Sequence, residues 1–246
     1  MSYTSMAGSY DVLTRDVDRK SFFEYYKKLF ALRGLSPSSI LDIGCGTGTL
    51  AYIMADAGYD VVAADPSEDM LSQACMARGT RPLSNPLFLR QSFATLDLYG
   101  TVDAAVCSLD CVNYITGDDE LAASFARLGL FIAPGGLFIF DVNSVEKYSR
   151  YKDSLFIDQT EDMYCVWRAD YDPVSMLCRY SVDIFTRRGE LWELASEEHI
   201  QRAYAPAQLS VALESAGFGN ISFFGCLSCE PPIPGEERIF VCASKL

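Results

Sequence analysis

The chain holds a single histidine, His199, and no run of basic residues longer than a pair. With one imidazole available, no second ligand cluster exists to complete a zinc site around Cys226-Leu-Ser-Cys229, the closest Cys-x-x-Cys pair. Lys and Arg number 20 against 33 Asp and Glu, a formal net charge of −13. A chain without a basic stripe lacks the footprint of a nucleic-acid binder, and an anionic membrane surface is disfavoured for the same reason. No apolar stretch approaches the length of a membrane span. Met1 to Asp11 lacks the charged-then-apolar layout of a signal peptide, so the expected location is cytoplasmic with no membrane partner. Internal repeats, low-complexity tracts and flexible linkers are also missing. Cysteine is the one type in unusual supply, but nine is an odd number and most sit inside apolar runs, which reads as reduced core thiols rather than a disulfide framework.

What is present fits a globular protein: 50% apolar and 22% charged residues over 246 positions, enough for one large domain or one core plus a subdomain. The most informative stretch runs from Ser39 to Ala51, Ser-Ile-Leu-Asp-Ile-Gly-Cys-Gly-Thr-Gly-Thr-Leu-Ala. Apolar residues lead into Asp42; Gly44, Gly46 and Gly48 follow; then good helix formers begin. Glycine serves where φ must be positive or where a ligand approaches backbone without a Cβ in the way, so this strand, turn and helix start reads as a ligand cradle.

Around it, paired aromatics between Tyr10 and Leu32 suit one or two amphipathic helices. A helix is expected from about Thr49 to Ala57, a strand over Asp60–Ala64, and a second helix from Ser67 to about Arg78. Short strands follow at Leu87–Arg90 and Ala104–Leu109, a helix at Asp118–Ile132, and a strand at Leu137–Val142 after Pro134-Gly135-Gly136. Strands without polar alternation, separated by helices, indicate βαβ units and a parallel sheet covered on both faces. From 154 onward the pattern alternates, with three runs at Phe156–Ala169, Met176–Arg187 and Leu191–Tyr204, which reads as a three-stranded antiparallel insert. A helix at Pro206–Ala216 and strands at Asn220–Cys226 and Arg238–Ser244 complete a seven-stranded sheet. The expected organisation is one sheet domain from 1–145 and 205–246, with the insert at 146–204.

In an open parallel sheet, ligands sit beyond the carboxyl ends of the strands where strand order reverses. Asp65, at the end of the second strand, is placed to accept hydrogen bonds from both hydroxyls of a ribose; the competing role, a helix N-cap, can fall to Ser67. The glycine spacing is Gly-x-Gly-x-Gly, with Thr49 where a dinucleotide fingerprint has its last glycine, which argues against NAD.

Leu41-Asp-Ile-Gly-Cys-Gly-Thr-Gly48 resembles motif I of the class I S-adenosylmethionine-dependent methyltransferases. Ala64-Asp65-Pro-Ser resembles their ribose-binding acidic position, and Ala133-Pro-Gly-Gly136-Leu-Phe-Ile-Phe-Asp141 their turn into strand five. The likeness runs in order from Ser39 to Asn143. The segments Glu198-His199-x-Gln-Arg-x-Tyr204 and Ala216-Gly217-Phe218 are similar to a small-molecule or uncharacterised bacterial branch. The resemblance implies an α/β fold, a Rossmann-like doubly wound and mostly parallel sheet with an antiparallel β insert after strand five, and S-adenosyl-L-methionine as cofactor. It also implies a cofactor-binding set of Tyr10, Asp42, Gly44, Cys45, Gly46, Gly48, Asp65, Pro66, Met70, Ser92, Phe93, Leu109 and Asp110. In it the glycine loop lies under the methionyl part, Ser92 and Phe93 flank the adenine, and Leu109 and Asp110 stand beside the sulfonium. Many relatives carry an acid where this chain has Ser92. Tyr10 and Asp11 resemble a Tyr-Asp pair that closes over the cofactor.

Methyl transfer from a sulfonium needs alignment of two groups and exclusion of water; a base is needed only where the acceptor must lose a proton. Candidates for that role, or for orienting substrate, are Asp110, Tyr114 and His199, with Asn113 and Tyr204 beside them. Leu109-Asp110-Cys111-Val112 lacks the Asn/Asp-Pro-Pro-aromatic signature that nucleic-acid amine methyltransferases resemble one another in. A small-molecule acceptor suits a crevice capped by the insert. Tyr164, Trp167 and Tyr171 also suit a contact between two copies of the chain. The alternative to an enzyme is a cofactor-binding subunit or sensor that transfers nothing, because no residue is obligatory for this chemistry.

Overall fold

The computed structural model describes residues 6–81 and 84–246, so the first five residues of the Met1–Asp11 stretch lie outside it. Two helices come first, α1 (Tyr10–Leu13) and α2 (Arg19–Leu32), the second capped by Asp18, whose carboxylate accepts from the Lys20 and Ser21 amides. Then β1 (Ser39–Ile43), α3 (Thr49–Asp56), β2 (Asp60–Ala64), α4 (Glu68–Met76), β3 (Leu87–Leu89) and β4 (Val102–Cys107) alternate. A one-turn helix at Cys111–Tyr114 precedes α5 (Asp118–Gly129), β5 (Ile132–Asn143) and α6 (Val145–Tyr151). Four strands follow, β6 (Ser154–Gln159), β7 (Met163–Asp172), β8 (Leu177–Arg188) and β9 (Leu191–Arg202), before α7 (Pro206–Ser215), β10 (Phe218–Phe224) and β11 (Arg238–Lys245).

Seven strands form one sheet in the order β10-β11-β5-β4-β1-β2-β3. The pairs from β5 through β3 are parallel, while β11 runs antiparallel to both β5 and β10. Strand order reverses between β1 and β4, so the ends of those two strands open onto the crevice where such sheets bind ligands. The absence of polar alternation in the strands has a direct cause: neighbours in sequence point to opposite faces, and both faces are covered. Ile40, Ala104, Val106, Leu137 and Ile139 pack under α2 and α3, whereas Leu41, Ala105, Cys107, Phe138 and Phe140 pack against α5 and α7. Phe138 and Phe140 stack at 4.7 Å between ring centroids, and Phe125 of α5 meets both at 5.5 Å.

The insert has four strands, not three, in the order β6-β7-β8-β9. The run read as one strand over Phe156–Ala169 folds back at Thr160-Glu161-Asp162, where the Thr160 amide donates to the Met163 carbonyl at 2.8 Å. Two of the three residues offered for a contact between copies are also placed differently. Trp167 and Tyr171 lie on the inner face of β7, against Tyr180 and Tyr148, because they share parity with buried Cys165 and Ala169. The large exposed apolar side chains of the insert instead include Leu155, Ile157, Leu191, Trp192 and Leu194. Helix α6, unannounced by the sequence pattern, is capped by Ser144, which accepts from the Lys147 amide. All nine cysteines are free, but Cys75, Cys226 and Cys229 are exposed rather than in the core. Among the described residues no helix is long and apolar enough to cross a membrane.

Phe140→Ala, which removes a fully buried ring at the centre of this stack, is expected to destabilise the protein by about 3–5 kcal/mol in urea unfolding followed by circular dichroism.

Candidate active site

The glycine loop is shaped by three left-handed positions, Gly44, Gly46 and Gly48, with φ of 78°, 55° and 75°. At Gly48, the N-cap of α3, a Cβ would lie 2.8 Å from the Phe88 ring; at Gly44 it would lie 2.4 Å from the Cys111 Sγ. Both conformation and space therefore require glycine there. The loop is tied to the end of β2 by the Gly44 and Cys45 amides, which donate to the Ala64 carbonyl, and by the Asp65 carboxylate. One Asp65 oxygen accepts from the Gly46 amide (2.9 Å) and the other from the Ser67 amide (2.8 Å). Ser67 itself caps α4 by accepting from the Met70 amide. Since an ionised carboxylate has about four acceptor positions, two remain for a ligand's hydroxyls. Burial pushes the Asp65 carboxyl up from its ordinary value, and the two amide donors oppose that shift.

Two recesses meet at Gly44, Asp65 and Cys111. Tyr10, Asp42, Cys45, Gly46, Met70 and Leu109 line the first, together with Arg19, Thr47 and Ser108. Pro66, Ser92, Phe93 and Tyr114 line the second, together with Glu120 and Ser124 of α5. Gly48 lines neither recess and acts through the loop's shape. Asp42 is 1% exposed, and among the described residues its Oδ2 has no hydrogen-bond partner. Burial first, and the neighbouring Asp65 second, push its carboxyl up to about 7. A buried carboxylate oxygen left unmatched in a cavity wall is costly unless a cation or donor meets it. Tyr10, half-buried, reaches in from the N-terminal segment, and burial of its hydroxyl raises that group's pKa far above the ordinary tyrosine range. That segment is fastened at three points: the Thr47 hydroxyl donates to Asp11 (2.8 Å), Arg15 makes a two-pronged pair with Asp158 of β6, and the Met6 amide donates to Glu197 of β9 (2.9 Å).

Beyond β4 the chain makes a tight turn in which two consecutive non-glycine residues, Leu109 (φ 60°) and Asp110 (φ 55°), are left-handed. That conformation costs roughly 1–2 kcal/mol per residue. It is held because the Leu109 and Asp110 amides donate to the two oxygens of buried Asp141 at 2.7 and 3.0 Å, and hydrogen bonds to a charged group contribute about 1.5–3 kcal/mol each. Asp110, expected beside the sulfonium and as a base, lines neither recess; its oxygens accept from Arg238 (2.9 Å) and from Gln201 of β9 (2.7 Å). Both Asp110 oxygens are thus engaged, one with β11 and one with β9. Asn113 donates to the Asn143 and Arg202 carbonyls, and the Tyr204 hydroxyl donates to the Ile115 carbonyl, so both pin β9 and its exit to the rim of the crevice. His199 is buried on the inner face of β9, outside both recesses. Its Nδ1 lies 3.4 Å from the Tyr114 hydroxyl and its Nε2 3.3 Å from Glu197.

Sequence reasoning missed Arg19 and Glu120. No motif marks them, since each comes from a different element and reaches the crevice only through the fold.

Residues 40–136 match the family model described as a methyltransferase domain. The YqeM protein of Bacillus subtilis (strain 168), a methyltransferase by provisional name, is 28% identical over 100% of this chain and 98% of its own. A S-adenosylmethionine-dependent methyltransferase from Clostridium acetobutylicum ATCC 824 superposes with a TM-score of 0.88 at 28% identity, over 99% of this chain and 98% of its own. A glycine/sarcosine N-methyltransferase of Halorhodospira halochloris is 26% identical over 53% of this chain and 48% of its own.

The Asp42 carboxyl predicts a pH dependence for binding any cationic ligand in the first recess. A carboxyl with a folded pKa of about 7, above its ordinary 3.8, is protonated below that pH and accepts a cation well only when ionised. Calorimetric affinity for S-adenosylmethionine is expected to rise as pH goes from 5.5 to 8, by about tenfold, and Asp42→Asn is expected to flatten that rise. In the cofactor-free protein the same carboxyl costs stability as pH climbs from about 4 to about 7, because the folded state then holds a proton the unfolded chain has lost.

Proposed function

We propose that this chain, which belongs to the class I S-adenosylmethionine-dependent methyltransferases, transfers the methyl group to a small-molecule acceptor admitted between the crevice and the four-stranded sheet. The observation that carries the acceptor class is enclosure. The N-terminal segment and β9 are both fastened across the crevice, by Asp11–Thr47, Arg15–Asp158, Met6–Glu197, Gln201–Asp110 and Asn113–Arg202. These ties hold the N-terminal segment and β9 against the rim of the crevice, beside the two recesses that meet at Asp65. The net charge of −13 disfavours a polyanionic acceptor, and the partial relative named for glycine and sarcosine acts, by that name, on small amines.

The residues present fit the cofactor. Asp42 offers a buried carboxylate oxygen to a cationic group, Arg19 in the same recess suits a carboxylate, and Asp65 keeps two acceptor positions at the junction of the recesses, where a ribose would lie. Glu120 and Ser92 offer polar contacts in the second recess. When bound, S-adenosylmethionine supplies a methyl group already made electrophilic by positive sulfur. The work left to the chain is to orient the two partners and exclude water: Leu109 meets the first recess from the β4 turn, and Tyr10 covers it. Where an acceptor must shed a proton, Tyr114, which lines the second recess, can pass it to His199, with Glu197 stabilising the imidazolium.

Radiolabelled S-adenosylmethionine incubated with a small-molecule metabolite extract is expected to yield labelled product with the wild-type protein. Asp65→Ala is expected to weaken cofactor affinity by about 100-fold, as loss of a buried charged hydrogen-bonding group does. Binding without any labelled product would instead support a silent cofactor-binding subunit.

A further inference from the structure

The β4 turn contributes Leu109 to the cofactor recess, and what holds it comes from the last strand, β11, two places from β4 in the sheet. Arg238, at the start of β11, has one guanidinium nitrogen on Asp141 and the other on Asp110 at 2.9 Å, with its side chain only 19% exposed. Asp141 is fully buried and spends both oxygens on the Leu109 and Asp110 amides. Two successive amides converging on one anion make a nest, and here the anion is the chain's own side chain. Burial and Asp110 favour the neutral form of Asp141, whereas Arg238, and after it the Asp110 and Leu109 amides, favour the charged one. We propose that Arg238 and Asp141 are positioning residues for methyl transfer: they form a charge clamp that keeps the Leu109–Asp110 turn left-handed and so fixes the wall against which donor and acceptor align.

The clamp follows from two observations that meet at one place. Consecutive left-handed non-glycine residues persist only where the surroundings over-determine them, and such strain concentrates at functional sites. The same guanidinium also anchors Asp110, which Gln201 links to β9, and the Tyr148 hydroxyl in turn donates to Gln201. One cation therefore sets both the turn at the donor recess and the seat of the insert that roofs the crevice. No local sequence signal marks this role: Arg238 lies 97 positions from Asp141 and 128 from Asp110.

The inference rests on the crevice being the site of transfer, so its test carries one readout that needs neither cofactor nor acceptor. Hydrogen–deuterium exchange on the cofactor-free Arg238→Met protein is expected to show the Leu109 and Asp110 amides exchanging at least about tenfold faster than in wild type, with Ile139 and Phe140 in the middle of β5 unchanged. At saturating S-adenosylmethionine, label incorporation into the metabolite extract is expected to fall at least about tenfold, while calorimetric affinity for S-adenosylhomocysteine changes by less than about threefold. Arg238→Lys, which keeps the charge, is expected to recover most of both properties. Should Arg238→Met fail to fold, Asp141→Asn carries the same test, since a carboxamide oxygen cannot serve both amides equally. Unchanged exchange at Leu109 and Asp110, faster exchange throughout the sheet, or a loss of rate matched by an equal loss of affinity would overturn the clamp. A wild-type chain that binds cofactor but labels nothing would overturn the reading of the site, and the exchange result would still decide whether the clamp exists.

Discussion

A single carboxylate joins the two halves of the crevice. Asp65 accepts from the Gly46 amide on one side and the Ser67 amide on the other, so the loop after β1 and the start of α4 are held at a fixed separation. Everything nearby is set by that tie. The three left-handed glycines let the loop turn back under the recess, Gly44 makes room for Cys111, and the two recesses meet where Asp65 stands. Without the tie the Gly46 amide would need another acceptor, whereas the Gly44 and Cys45 amides keep the Ala64 carbonyl.

The crevice concentrates acids beyond what packing requires. Asp42, Asp65 and Asp141 are all buried, and burial raises the pKa of each. They differ in how the charge is met. Asp141 has Arg238 and two amides, Asp65 has two amides, and Asp42 has an oxygen with no partner among the described residues. The first holds a turn, the second holds a loop with acceptor capacity left over, and the third keeps an oxygen without a hydrogen-bond partner among the described residues in the wall of the first recess. The sheet supplies the rigidity for this division, because its strands are buried on both faces and its ends cannot shift independently.

How much of this was legible in the sequence follows the range of each interaction. Strands β1 and β2 lie where the uninterrupted apolar runs place them, and Ser67 caps α4 as its residue type and position indicate, because these are local effects. The recess linings gather Asp42, Gly44, Gly46, Asp65, Ser92 and Phe93 at strand ends, as the topology of a doubly wound sheet dictates. Illegible features depend on long separations or on a short break. Three polar residues, Thr160 to Asp162, suffice to split one apparent strand into β6 and β7. Arg19 enters the recess from a helix whose pattern speaks only of aromatic packing, and Asp110 turns from the crevice because Arg238 and Gln201, both far along the chain, claim its oxygens.

The central claim is that Asp65, already shared between two backbone amides, is also the anchor for the ribose of the cofactor. A crystal structure of the chain soaked with S-adenosylhomocysteine tests it most directly. The account predicts both ribose hydroxyls within hydrogen-bond reach of the Asp65 oxygens, roughly 2.5–3.0 Å, with the Gly46 and Ser67 amides still donating to the same carboxylate. A ribose bound elsewhere in the crevice, or Asp65 released from the glycine loop to receive it, would contradict the account.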